Sequence, residues 1–247
     1  MDREKHVMGL SIIIPTFNRA ELLDIGLSSI VRQGISFDYE IIIENDGGEE
    51  LETLDVIKKH SLPIRYYYIQ KQEGLWTCPS VPINRGISRA KFDIVCLTCP
   101  EIFHIGRTFE RMHKQCKDGV IVISNGKDDS SGNFLLFVKA TNGAYDRNEL
   151  NRCKYLATEL PFCMMMTKKD FLSVGGYDEI YNDGIGYEDS DFVNKLRKKQ
   201  FKFLKVDETI VHLFHDRKKR YANGHHKRWQ RNHDIFTERW GKEWKFK

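Results

Sequence analysis

No apolar run in this 247-residue chain approaches the roughly 18 to 20 residues that a membrane-spanning helix needs. The opening segment, MDREKHVMGL, is polar and passes directly into a β-branched stretch, so it does not read as a signal peptide. No G-x-G-x-x-G loop follows that stretch, which ends instead in PTFNR; this counts strongly against the dinucleotide-binding dehydrogenases. Cysteine is sparse, with six residues, and the one C-x-x-C, Cys96 to Cys99, has no second pair to complete a structural zinc site. That pair sits at the end of a predicted buried strand, where cysteine serves as a small apolar residue, and the expectation is a cytoplasmic chain with reduced thiols. Excess charge of one sign is also lacking: the net charge of +4 is too mild to argue by itself for nucleic acid. Internal repeats and flexible linkers are missing too, so one domain over residues 1–247 is expected.

What the chain does contain is enough apolar residue, 40%, to bury a full core, and 30% charge to keep its surface wet. The β-branched run Leu10 to Ile14 predicts a buried strand. A helix follows from about Ala20 to Gln33, then a strand at Tyr39 to Ile43, a helix near 50–60, a strand at Ile64 to Ile69, a helix near 81–90 and a strand at Phe92 to Leu97. Strand–helix alternation of this kind implies right-handed crossovers and a mostly parallel sheet flanked by helices, with ligands bound beyond the carboxyl ends of the strands. Polar residues mark three such ends: Pro15 to Arg19, Glu44 to Asp46, and Thr98 to Glu101. The second half is less regular. Strands are predicted at Gly119 to Ser124, Phe134 to Val138, Pro161 to Met166, Phe201 to Val206 and Thr209 to Phe214, with a turn over 126–133 and a polar excursion over about 140–155.

The densest chemistry lies in GGYDEIYNDGIGYEDSD, residues 175 to 191. Gly175, Gly176, Gly184 and Gly186 accompany Asp178, Glu179, Asp183, Glu188, Asp189 and Asp191. Phe192, Val193 and Leu196 follow at helical spacing, so Glu188, Asp189 and Asp191 are predicted at a helix N-terminus, where the dipole favours carboxylates, facing a pocket floored by a glycine turn. An acidic cap on a surface helix would need fewer glycines; a general base taking a proton from a hydroxyl needs this setting.

Taken together, SIIIPTFNR, EIIIENDGG, the asparagine and glycine of NRGISRAKFDIV, GGYDEIYNDGIGYEDSDFVNKLRKK and the closing RNHDIFTERWG resemble the inverting glycosyltransferases of family 2, over about residues 10 to 240. The resemblance implies an α/β fold of GT-A type: a nucleotide-sugar-binding half over about 9–125 and a less regular acceptor-binding and catalytic half over about 126–247. It implies a nucleotide-sugar donor, most often a UDP-sugar, and a divalent metal, Mn²⁺ or Mg²⁺. Pro15, Thr16, Asn18 and Arg19 would border the nucleotide, Asn45 and Asp46 would contact uracil or ribose, and Asn84 would join this set. Asp189 would be the catalytic base with Glu188 orienting the acceptor, which would be a glycan, a lipid-linked sugar or another hydroxyl.

One departure from the family pattern bears on the metal. Where an Asp-x-Asp is usual after the fourth strand, this chain reads Thr98-Cys99-Pro100-Glu101, with His104 close behind. Either Glu101 acts with waters and a distant ligand, His212 or His215 of VHLFHD, or metal binding is weak or absent. The basic stretch from His212 to Arg231 is read as a solvated surface, a loop over the donor diphosphate, or a contact with an anionic acceptor or a membrane periphery. Two rivals to the enzyme reading remain: a nucleotide-sugar or glycan binding module without catalysis, and a nucleic-acid-associated glycosyltransferase.

Overall fold

A computed structural model of the chain describes residues 9–70, 78–156, 159–215 and 225–241. The first half alternates strand and helix: β1 Leu10–Thr16, α1 Ala20–Val31, β2 Tyr39–Asn45, α2 Glu50–Lys58, β3 Ile64–Tyr68, α3 Ser80–Arg89 and β4 Ile94–Thr98. These four strands pair in parallel in the order β3-β2-β1-β4. The sheet then continues through β8 (Cys163–Thr167), β6 (Val120–Asp128), β9 (Lys202–His212) and β5 (Ile102–His104), with β7 (Lys154–Leu156) paired to β6. Here β8 runs antiparallel to both β4 and β6, while β6 and β9 pair in parallel. The result is the expected α/β sheet, mostly parallel, flanked by helices and less regular in its second half.

Side-chain alternation along buried strands supplies a core on each face. Ile12, Ile14, Ile41, Ile43 and Cys96 pack with Leu23, Leu27 and Met112 on one side. Ile13, Ile42, Val95 and Leu97 pack on the other with Ile83, Ile87, Phe171, Phe192 and Leu196. The last two come from α8 (Glu188–Lys198), so the helix that begins with the Glu-Asp pair is anchored directly against the central strands. The six cysteines are free thiols. No helix of the described residues is long and apolar enough to cross a membrane.

Several second-half expectations are corrected. Phe134 to Val138 is not a strand but the heart of α5 (Asn133–Ala140). The cause is Asp129, whose carboxylate accepts the backbone N–H groups of Gly132, Phe134 and Leu135 at 3.0, 3.3 and 2.9 Å. The turn predicted over 126–133 starts late, because β6 runs on to Asp128. The polar excursion contains α6 (Arg147–Arg152), capped by the Asp146 side chain on the Asn148 and Glu149 amides, and then β7. The two strands predicted near 201–214 are one, β9, with a register shift against Ser124 and Asn125. The short β5 and the helix α4 (Thr108–Gln115) lie where no element was expected.

Candidate active site

At the carboxyl ends of β1, β2 and β4 the chain leaves the sheet around a cavity of about 400 Å³. Pro15, Thr16, Phe17 and Arg19 reach it from β1 and the turn after it, and Asp46 from the end of β2. Asn18 and Asn45, expected beside them, are braces instead. Asn18 adopts φ 50° and its Oδ1 accepts the Glu49 amide at 2.8 Å. A Cβ on Gly48 would meet that Oδ1 at 2.5 Å, so the two loops close on each other only with glycine there. Asn45 is fully buried; its Oδ1 accepts the Gly48 amide at 2.9 Å and its Nδ2 donates to Tyr66 Oη at 3.1 Å. Asn84 also lies away from the cavity lining: it donates to the Tyr177 carbonyl at 2.9 Å and accepts the Tyr177 amide at 3.0 Å, gripping the GGYDE turn.

The site's third strand end brings Glu101 against His212 and His215. The three are buried, and one ligand atom from each lies within 4.8 Å of the others. Glu101 Oε1 is 3.8 Å from His212 Nε2 and 3.7 Å from His215 Nε2. Burial pushes the Glu101 carboxyl upward, but His212, His215 and Arg19 outweigh it and hold the group below the usual carboxylate range. Behind the cluster, Asp128 Oδ1 sits 3.2 Å from His212 Nδ1. A carboxylate on Nδ1 leaves Nε2 turned toward Glu101, the arrangement of a histidine that ligates a metal through Nε2. Asp128 was missed in the sequence because it stands in a polar run read as a turn. His104, by contrast, is buried between Ser29 and Thr98 and takes no part.

Glu188 and Asp189 open α8 and line the same cavity. Tyr187, just before them, has φ 71°, an uncommon conformation for a bulky side chain. Its ring packs on Trp229, His233 and Phe236 of α9 (His225–Trp240). Glu188 accepts the Cys78 thiol at 3.1 Å, and burial, followed by Glu188, pushes that thiol well above its ordinary range. Asp189 Oδ1 accepts the Tyr177 hydroxyl at 2.8 Å. Asp191 was expected to face the pocket with the other two but turns inward: its Oδ1 accepts Arg239 Nη1 at 2.9 Å and Trp240 Nε1 at 2.8 Å.

α9 thereby holds the glycine turn in place. Arg228 donates from Nε to the Asp183 carbonyl and Arg231 from Nη1 to that of Ile180. Asn232, fully buried, donates to the carbonyls of Tyr181 and Gly186 at 2.9 and 2.8 Å. Two cations of the basic stretch are thus engaged with backbone, and Trp229 lines the cavity. Its most basic part, residues 216–224, lies outside the described residues.

The glycosyl transferase family 2 model matches residues 11–174, more than half of the chain, and a model described as the N-terminal domain of galactosyltransferase matches residues 149–219. Chondroitin synthase of Pasteurella multocida (strain Pm70) is 37% identical over 91 residues, which are 36% of this chain and 9% of that one. The poly(ribitol-phosphate) beta-N-acetylglucosaminyltransferase TarP of Staphylococcus aureus (strain N315) is 40% identical over 88 residues, 35% of this chain and 26% of TarP. The matched stretches therefore span a minor part of these relatives' length. Among solved structures, the mannosyltransferase PcManGT from Pyrobaculum calidifontis, in complex with GDP-Man and Mn²⁺, superimposes with TM-score 0.61 at 15% identity, over 94% of this chain and 65% of that chain. That likeness concerns the fold, which is of GT-A type. On the family match, this chain belongs to glycosyl transferase family 2.

Proposed function

We propose that the chain is an inverting, hexosyltransferase-like enzyme that moves a sugar from a nucleotide-sugar, with UDP as its nucleotide, to an acceptor hydroxyl, assisted by Mn²⁺ or Mg²⁺. The observation that carries this reading is that Asp189 and the Glu101, His212 and His215 cluster open onto the same cavity. A carboxylate with two imidazoles, one of them oriented by Asp128, is a donor set that fits a divalent cation. Bound there, such a cation would offset the charge growing on the departing nucleoside diphosphate. Arg19 adds a fixed positive charge on the same wall, and Thr16 and Asp46 border the nucleoside. Asp189 takes the proton of the acceptor hydroxyl while that oxygen attacks the anomeric carbon, opposite the leaving group; one displacement inverts the configuration. Glu188 orients the acceptor beside it.

The relatives support a nucleotide-sugar donor and a glycan acceptor. PcManGT holds GDP-Man and Mn²⁺, and TarP is named as an N-acetylglucosaminyltransferase. Neither rival, the inactive binding module or the nucleic-acid-associated enzyme, draws support from them. The test is calorimetry with UDP, GDP, CDP and dTDP, each with Mn²⁺ and with EDTA, followed by transfer assays with the matching sugars. UDP is expected to bind with Mn²⁺ and to be lost with EDTA, and Asp189→Asn to keep that binding while losing transfer. The reading fails if no nucleotide binds under either condition, or if Asp189→Asn still transfers.

A further inference from the structure

We propose that Tyr177 is the positioning residue of the Asp189 base: its hydroxyl donates to Asp189 Oδ1 at 2.8 Å and fixes both the orientation and the ionised form of that carboxylate. The inference rests on the reading of Asp189 as the base. Tyr177 does not line the cavity, so it acts through Asp189 and not on substrate.

The geometry makes Tyr177 a rigid donor. The residue is 2% exposed. Its ring stacks on Phe192, with centroids 4.5 Å apart and planes 17° apart, and lies beside Phe171 at 6.3 Å. Phe192 belongs to α8, the same helix that carries Asp189 in its first turn, so donor and acceptor are fixed to one body. Asn84 clamps the backbone on both sides, donating to the Tyr177 carbonyl and accepting its amide. Phenylalanine would fill this slot equally well. A buried hydroxyl costs free energy unless it is paired, and Asp189 is the partner. Burial, then the charge of Asp189, pushes the tyrosine far above its ordinary range, so it stays a protonated donor. A hydrogen bond given to a carboxylate favours the ionised form, which is the form that accepts a proton.

Other ionisable groups also face Asp189. Glu188 adjoins it and Cys78 interacts with it from the segment just before α3. Arg19, Asp46 and Glu101 with its two histidines line the same cavity. All of them are retained in Tyr177→Phe, so a change between the two proteins reports the hydroxyl alone.

The test has two arms. In the first, the Asp189 carboxyl carbon is followed by ¹³C NMR in protein labelled at aspartate, with Asp189→Asn assigning the resonance. In Tyr177→Phe its titration midpoint is expected to rise by about one pH unit, the size of one hydrogen bond to a charged group. In the second, transfer is measured against pH with the donor and acceptor selected by the assays above. Tyr177→Phe is expected to lower kcat about tenfold, to leave the donor KM in place, and to move the acid limb upward by the same unit. Phe171→Leu loosens the same stack but keeps the hydroxyl, and should leave both midpoints unmoved. The proposal is overturned if Tyr177→Phe moves neither midpoint, or if Phe171→Leu moves them equally. An active Asp189→Asn would instead sink the base assignment, whatever the NMR arm gives.

Discussion

Asp128 and His212 lie opposite each other on the paired strands β6 and β9, and their side chains meet at 3.2 Å, Oδ1 to Nδ1. The contact ties the candidate metal site to the sheet and not to a loop. An imidazole whose Nδ1 is held by a carboxylate keeps Nε2 aimed and basic.

The consequence is measurable without turnover. Asp128→Asn should weaken Mn²⁺ binding by about 10- to 100-fold, the usual cost of removing such a partner. Glu101→Gln should weaken it further, since it removes a charged member of the cluster itself. Both are read by titrating free Mn²⁺ in an EPR experiment. Equal affinity in wild type and Asp128→Asn would leave Asp128 as a strand-pairing residue only.

Asp191 supports a stability prediction. It is fully buried and gathers Tyr181, Arg239 and Trp240 on Oδ1, with Lys195 at 3.3 Å from Oδ2. Asp191→Ala strips a buried anion from the cations that hold it, and should cost about 3 kcal/mol or more in urea unfolding. Because these contacts join the start of α8 to the end of α9, the loss should come with weaker docking of α9. That docking is read as faster amide exchange over residues 225–241. A variant as stable as wild type would mean that α9 docks through the Tyr187 ring and the Arg228, Arg231 and Asn232 hydrogen bonds without Asp191.

Asp178 fixes the direction of one acid effect. Burial raises its carboxyl, but the Ile180 amide and the Arg239 guanidinium outweigh that and hold it below the ordinary 3.8. A depressed carboxylate contributes stability above its unfolded value and loses it as pH falls through the folded one. Asp178→Asn should therefore be less stable than wild type near neutrality. The difference should shrink as pH falls below the ordinary 3.8 and through the folded value, read from urea midpoints. A gap that widens toward acid would contradict the assignment.

The first half was legible because its signals are local. The β-branched runs at Leu10 and Tyr39 end in polar residues, and these ends reach the cavity through Pro15, Thr16, Arg19 and Asp46 as expected. The second half was misread where a distant partner or a capping residue decides. Phe134 to Val138 has the same composition as a buried strand, but the Asp129 cap opens it as a helix and Phe134, Leu135 and Val138 pack from it against Phe103 and Val211. Asn18, Asn45 and Asn84 look like ligand contacts in the sequence, yet each amide is engaged in closing a turn. Tyr177 and Asp128 carried no signal beyond their neighbours: a tyrosine among glycines and an acid in a polar run acquire meaning only when Asp189 and His212 are brought beside them. The family resemblance took in Tyr177 within GGYDE without giving it a role, and Asp128 stands in none of the motifs that carry it.

Gly184 provides a last test, of how tightly the glycine turn is held. A Cβ there would stand 2.0 Å from Asn232 Oδ1, closer than any real contact, and Asn232 is fully buried. The conflict is steric: the collision is with a side chain that is itself occupied with the Tyr181 and Gly186 carbonyls. Gly184→Ala should cost about 2 kcal/mol by overpacking. Asn232→Ala should cost a similar amount, because it removes the amide that donates to the Tyr181 and Gly186 carbonyls and leaves the Tyr181 carbonyl with the Gly184 amide alone. The two penalties share one cause of strain, so the double variant should be less destabilised than their sum by about 1 kcal/mol or more. Thermal or urea unfolding of all four proteins measures the cycle. Strict additivity would mean that the turn relaxes away from α9 in Gly184→Ala. In that event the hold of the C-terminal helix on the Glu188 and Asp189 wall is looser than the hydrogen bonds of Asn232 imply.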